Sequence, residues 1–174
     1  MPRSPSPAAR LGLFFRSLLW TVALPGLFAG YIPWRYFGLG SARIDGASPR
    51  HWLALASILA GSILLAAAIF EFARTGRGTL SPVDPPRVLV VRGLYRRVRN
   101  PMYLSVTLIV LGEALLIAST QLLIYWVGWF AAANVFVIAY EEPYLRRRFG
   151  SEYDRYTAAV PRWFPRWKPY HPSE

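Results

Sequence analysis

The chain contains no cysteine, which excludes disulfides, thiolate metal sites, iron–sulfur clusters and a catalytic thiol. Histidine is almost as scarce, and His51 and His171 stand too far apart in sequence to read as a metal-ligand pair. Acidic residues are few, 9 Asp and Glu against 20 Lys and Arg, giving a net charge of +11. Such a surplus can signal nucleic acid, but here the arginines gather at the ends of apolar runs, where membrane topology asks for them. Neither a nucleic-acid partner nor a metal is expected. What the chain has in quantity is apolar residues, 54% of 174, with a mean hydropathy of +0.27. That exceeds the usual composition of a soluble domain and points to the lipid bilayer as the surrounding medium.

The pattern along the chain predicts an all-α integral membrane bundle of four transmembrane helices, with a C-terminal helical hairpin and a cytoplasmic amphipathic tail. Met1 to Arg10 is rich in Pro, Ser and Ala and reads as a flexible tail. The first span covers about 11–34, with a kink expected at Pro25; it is too long and too aromatic, through Tyr31 and Trp34, for a cleaved leader. The second span covers about 52–72, the third 102–118 and the fourth 122–140. Ser119-Thr120-Gln121 turns the third into the fourth, so these two form an antiparallel hairpin. Four crossings leave no room for a separate soluble domain, and 1–174 reads as one unit ending in an interfacial tail, 141–174. In that tail Leu145, Phe149, Tyr153 and Tyr156 recur at three- and four-residue spacing, an apolar stripe suited to lie along the inner leaflet, with Gly150 as a break. The short apolar patch Val88 to Val91 lies on the headgroups or packs under its loop.

Orientation follows from the arginines. They concentrate before the first span, in the 74–100 loop and after Glu142, which predicts a cytoplasmic location for both termini and for that loop, in the inner membrane if the source is bacterial.

Polar chemistry then collects on one face. Pro101 fits the first turn of a helix, where its missing N–H is not needed, so the free amides of that turn and Arg96, Arg97 and Arg99 offer a seat for an anionic group. The hairpin returns Glu141 and Glu142 to the same side. In a regular helix Asn134 and Glu141 share a face, and Ser105, Leu108 and Gly112 form a small-residue face on the third span, so a crevice is expected between spans three and four. Glu113 lies on the order of 16 Å deeper at helical rise, and an acid at that depth is costly enough to need a role or a partner. Plainer readings stand beside these: Arg92 to Arg99 as a topology signal or anionic-lipid contact, Glu141 and Glu142 pairing with Arg146, Gly112 as packing, and Tyr103 as an interface anchor.

Two blocks carry a resemblance. Gly93-Leu-Tyr-Arg-Arg-Val-Arg-Asn-Pro-Met-Tyr103, and Glu141-Glu-Pro-Tyr-Leu-Arg-Arg-Arg-Phe-Gly-Ser-Glu-Tyr-Asp-Arg-Tyr156 closing on Val160-Pro161-Arg162, resemble the signature of the isoprenylcysteine carboxyl methyltransferase and phospholipid methyltransferase superfamily. The resemblance implies S-adenosylmethionine as cofactor, held by Arg99, Asn100, Pro101, Tyr103, Glu141 and Glu142, with Gly112 as a further contact. Asn100 stands where that family usually has histidine; an amide can donate a hydrogen bond but does not titrate near neutrality. The implied partner is a lipidic or small hydrophobic methyl acceptor drawn from the bilayer. Isoprenylcysteine-type carboxyl O-methylation is the first expectation. The alternatives are phosphatidylethanolamine N-methylation, for which Glu113 or Glu141 would be the catalytic base, and a non-catalytic protein that binds anionic lipid.

Overall fold

The computed structural model describes residues 23–75 and 88–171, and every regular element among them is helical. The expected tail, Met1 to Arg10, and the first half of the expected first span lie outside these residues. The described part of that span runs through a π-helical turn, Leu27–Tyr31, into helix α1 (Ile32–Tyr36). Helix α2 (Pro49–Thr75) follows, then the 88–100 loop, α3 (Pro101–Ile117) and α4 (Thr120–Phe136). A second π-helical turn, Val137–Glu141, carries α4 without a break into α5 (Glu142–Phe149), and α6 (Ser151–Ala159) comes after Gly150.

Both π-helical turns end two residues before a proline, Pro33 and Pro143. A proline ring inside a helix collides with the carbonyl four residues back, and a wider turn moves that carbonyl aside. The irregularity in the first helix therefore surrounds the carbonyl that Pro33 would strike, rather than following from Pro25 alone.

The hairpin is terminated as the sequence suggests. Ala118 takes a left-handed conformation at φ 51°, and the Ser119 side chain accepts a hydrogen bond from the Leu122 amide at 3.2 Å. These cap the end of α3 and the start of α4.

Among the described residues, two helices are long and apolar enough to cross a membrane, Pro49–Glu71 and Thr120–Phe149, while α3 is apolar but shorter, at 17 residues. Their outer faces carry exposed Leu59, Ile63 and Phe70 on α2 and Ile124, Val127 and Val135 on α4, the surface a hydrocarbon solvent requires.

The small-residue face of α3 does not line a crevice toward α4, contrary to expectation. It packs on α2: a Cβ at Gly61 would lie 2.8 Å from the Ser105 carbonyl oxygen, and one at Gly112 would lie 2.7 Å from the Ala54 carbonyl oxygen. The Ser57 hydroxyl donates to the Leu108 carbonyl at 2.8 Å along the same seam. The opposite side of α3, through Val106, Val110 and Ala114, meets Leu122, Trp126 and Trp129 of α4, with Phe28 of the first helix against them.

The tail differs from expectation too. Tyr153 and Tyr156 are buried, and with Leu145 and Phe149 they pack on Leu89 and Val160. The stripe faces protein rather than the leaflet because Leu89 and Val91 of the loop supply it with an apolar partner, while Val90 between them turns to Ala68 and Tyr95. Of the two places open to the apolar patch Val88 to Val91, it packs under its loop.

Candidate functional site

Arg99 is delivered by a loop fixed at both ends. Gly93 opens it at φ 50°, and its hydrogen side is pressed on Glu71, whose Cδ would lie 2.6 Å from a Cβ there. Only glycine meets both demands. A short 3₁₀ turn, Gly93–Arg96, follows, with Tyr95 buried and its carbonyl accepting from the Tyr156 hydroxyl at 2.7 Å. Asn100 and Pro101 then start α3, with Pro101 in the first turn as read from sequence.

A strap formed by residues 160–170 runs back along this loop. The Arg99 amide donates to the Pro161 carbonyl at 3.0 Å, the Arg166 amide to the Arg97 carbonyl at 2.9 Å, and the Tyr170 amide to the Arg96 carbonyl at 2.8 Å. The Asn100 side chain donates to the Arg162 carbonyl at 3.2 Å. Asn100 is buried and spends its amide on holding the strap.

Loop, strap and the end of α4 converge on the two acids. Glu142 is gripped by two arginines: Arg99 Nη1 donates to its Oε1 at 2.8 Å, while Arg162 donates through Nε to Oε1 at 2.6 Å and through Nη2 to Oε2 at 2.8 Å. The side chains of Arg99 and Glu142 are only 12% and 11% exposed, so this ion pair works in a medium of lowered polarity. The carboxylate in turn holds the Arg162 guanidinium in its charged form more firmly than usual. Arg146, the partner that helical spacing offered, pairs with Asp154 instead, at 2.8 Å.

Glu141 is held differently. Its Oε2 accepts from the Tyr103 hydroxyl at 3.1 Å, and among the described residues no arginine or lysine pairs with it. Nearby, burial and then the Glu141 charge keep the Tyr95 phenol protonated well above its ordinary range, and burial pushes Tyr153 up to about 12. The phenols around the acids are therefore donors, not phenolates.

One atom is left over. Among the described residues Arg99 Nε is buried with no hydrogen-bond partner, although the guanidinium lies beside the Tyr153 phenol.

Asn134 and Glu141 end on separate but touching partners. The Asn134 Oδ1 accepts from the Trp163 indole at 2.8 Å, and the Trp163 ring meets Tyr103 edge-on at 6.4 Å and Phe130 at 5.0 Å. Trp163→Phe would keep the ring and strand the Asn134 carbonyl in apolar surroundings. We expect a loss of about 1–3 kcal/mol in unfolding stability, read from thermal unfolding in detergent, with partial recovery when Asn134→Leu is added.

The structure thus brings together Arg99, Asn100, Pro101, Tyr103, Glu141 and Glu142. It does not bring Gly112 or Glu113 to them. Gly112 is pressed on the α2 backbone, and Glu113 is buried further along α3 with its Oε2 unpartnered. Arg162 and Trp163 belong to the cluster and were not picked from sequence as site residues. For Arg162 the signal is its place in the closing Val160-Pro161-Arg162 block; Trp163, the next residue, carries none beyond being aromatic.

The comparisons with known proteins coincide with this cluster. The model of a family described as phospholipid methyltransferase matches residues 49–152, from α2 into α6. It takes in both acids and the Arg99–Tyr103 stretch, and stops short of Arg162. An uncharacterized protein of Haemophilus influenzae is 42% identical over 65 residues, which make up 36% of this chain and 98% of that relative.

Proposed function

The chain belongs to the phospholipid methyltransferase family, and we propose that it transfers a methyl group from S-adenosylmethionine to a lipid acceptor at the membrane face where Arg99, Glu141 and Glu142 meet. The observation that supports this most directly is the pairing of one cationic donor N–H without a partner with one acid that no cation neutralises among the described residues. Arg99 Nε is free to take a carboxylate, and Glu141 is free to take an ammonium or ribose hydroxyls. A methionyl group carries both of these charges, so the residues present fit the cofactor's polar end.

When bound, S-adenosylmethionine supplies an electrophilic methyl on a sulfonium, open to in-line displacement. The protein's part is to align the partners and exclude water. Tyr103 orients Glu141, and Asn100 holds the strap so that Arg162 stays on Glu142. Glu142, occupied by two guanidiniums, anchors Arg99 rather than contacting the donor itself.

For the acceptor, the family description and the uncompensated Glu141 favour an amine head group, which must give up a proton before it attacks; Glu141 would take that proton. Glu113, read from sequence as the other base, is too far along α3 for this. A prenylcysteine carboxylate, the first expectation from sequence, is the second reading; it is already nucleophilic and needs no base, which would leave Glu141 to the donor's ammonium alone. In this proposal four helices cross the bilayer, the site and both termini face the cytoplasm, and the acceptor enters sideways from the lipid.

The test uses purified protein in nanodiscs with methyl-labelled donor and a lipid extract. Label that resists alkali and stays in a head group marks N-methylation; label released as methanol marks a methyl ester. Glu141→Ala should lower donor affinity measured by calorimetry by tenfold or more, taking about 1.4 kcal/mol per tenfold. Unchanged donor binding in that variant overturns the assignment of Glu141.

A further inference from the structure

The strap has two sides, and the site uses only one. Arg162 and Trp163 turn inward to Glu142 and Asn134. The residues beside them turn outward: Phe164 is 84% exposed and Trp167 is 91% exposed, the highest values among the exposed large hydrophobic residues described. Large aromatic side chains standing this far out next to an apolar bundle suit the membrane interface. The charges around them are of one sign. Lys168 is exposed, Arg97 is exposed and donates to the Trp167 carbonyl, and residues 160–171 contain no Asp or Glu.

We propose that the outward side of the strap, Phe164 and Trp167 with Arg97 and Lys168, is a docking surface for an anionic phospholipid leaflet. The aromatics enter the head-group region while the two cations meet lipid phosphates. Each basic residue near such a surface contributes about fivefold in binding.

The surface has a consequence inside the protein. The loop that carries Arg97 also carries Arg99, and the segment that carries Trp167 also carries Arg162. Lipid that holds the outer residues therefore holds both guanidiniums on Glu142. The strap acts as a clasp that the leaflet keeps closed, and lipid charge would tune the methyl-donor site beneath it.

The absence of native cysteine makes the test direct. A nitroxide on Phe164→Cys in the full chain is expected to show bilayer-type oxygen access in nanodiscs containing phosphatidylglycerol. Access should shift toward water in pure phosphatidylcholine and in the Arg97→Glu/Lys168→Glu variant. Aqueous access in all three overturns the proposal. Equal bilayer access in all three also overturns it, because charge would then play no part, and spin–spin broadening between copies would assign the surface to a second copy of the chain instead. The clasp is tested by Trp167→Ser, which should weaken S-adenosylmethionine binding about fivefold in phosphatidylglycerol nanodiscs and leave it unchanged in phosphatidylcholine. Equal weakening in both lipids overturns the coupling. That second measurement rests on the proposed function; the nitroxide measurement does not, so failure of one is separable from failure of the other.

Discussion

Glu142→Gln is expected to destabilise the protein by about 3–5 kcal/mol and to remove methyl-donor binding with it. Glutamine has nearly the same shape but no charge, and Glu142 is the common counter-ion of Arg99 and Arg162, within 2.8 Å and 2.6 Å of them. Arg99 is 12% exposed and cannot turn to water without moving the loop. An uncompensated guanidinium there costs far more than the net worth of the pair, because the desolvation already borne is no longer offset. The strap should loosen at the same time, since Arg162 contributes both its side-chain contacts to Glu142 and its carbonyl to Asn100. Arg162→Met is the informative comparison. It removes one cation and leaves Arg99 and Glu142 matched one to one, so its cost should be clearly smaller. Thermal unfolding in nanodiscs ranks the two variants, and calorimetry with S-adenosylmethionine reads the site. If Glu142 gripped the donor directly and had no internal task, Glu142→Gln would abolish binding at unchanged stability, and the assignment of Glu142 as anchor would fall.

The parts of this site that were readable in the sequence are those set by local rules. Pro101 lacks a donor and so begins a helix; Ser119 accepts from the amide of Leu122 and so begins another; between them the chain must double back and return Glu141 to Arg99. Such features depend on residues a few positions apart. What sequence could not give was the choice between long-range partners. Glu142 had Arg146 four residues away and took Arg99 and Arg162 instead, while Arg146 went to Asp154. Spacing showed that Arg146 was within reach, not that better-buried arginines would arrive from two other segments. The stripe of Leu145, Phe149, Tyr153 and Tyr156 was legible as a stripe, yet its partner is Leu89 and Val91 of the loop and not lipid. Periodicity reports which side of a helix is apolar and is silent about what covers it. The two π-helical turns form a third case. Spacing gave no sign of the π-helical turn between Asn134 and Glu141, yet the two still reach one patch, through Trp163 and Tyr103, whose rings meet edge-on.

Gly112 separates packing from cofactor contact by experiment. A methyl group there would stand 2.6 Å from the Ile58 Cγ1 and 2.7 Å from the Ala54 carbonyl oxygen. The first neighbour can rotate away, but the second is backbone in the second turn of α2 and yields only if the helices part. Gly61→Ala meets the same obstacle from the other side, 2.8 Å from the Ser105 carbonyl oxygen. Each substitution is expected to cost about 1–3 kcal/mol. Because both act on one seam, the helices that have separated for the first methyl already make room for the second, and the double variant should cost less than the sum. Gly128 is the control: nothing lies within 4 Å of its added Cβ, so Gly128→Ala should be neutral or stabilise by up to about 1 kcal/mol through helix propensity. Thermal unfolding in nanodiscs gives all four values. Had Gly112 been a contact for S-adenosylmethionine, Gly112→Ala would weaken binding while the unfolding temperature stayed put. A lowered unfolding temperature that Gly61→Ala shares and Gly128→Ala does not is the pattern that close packing of α2 on α3 requires.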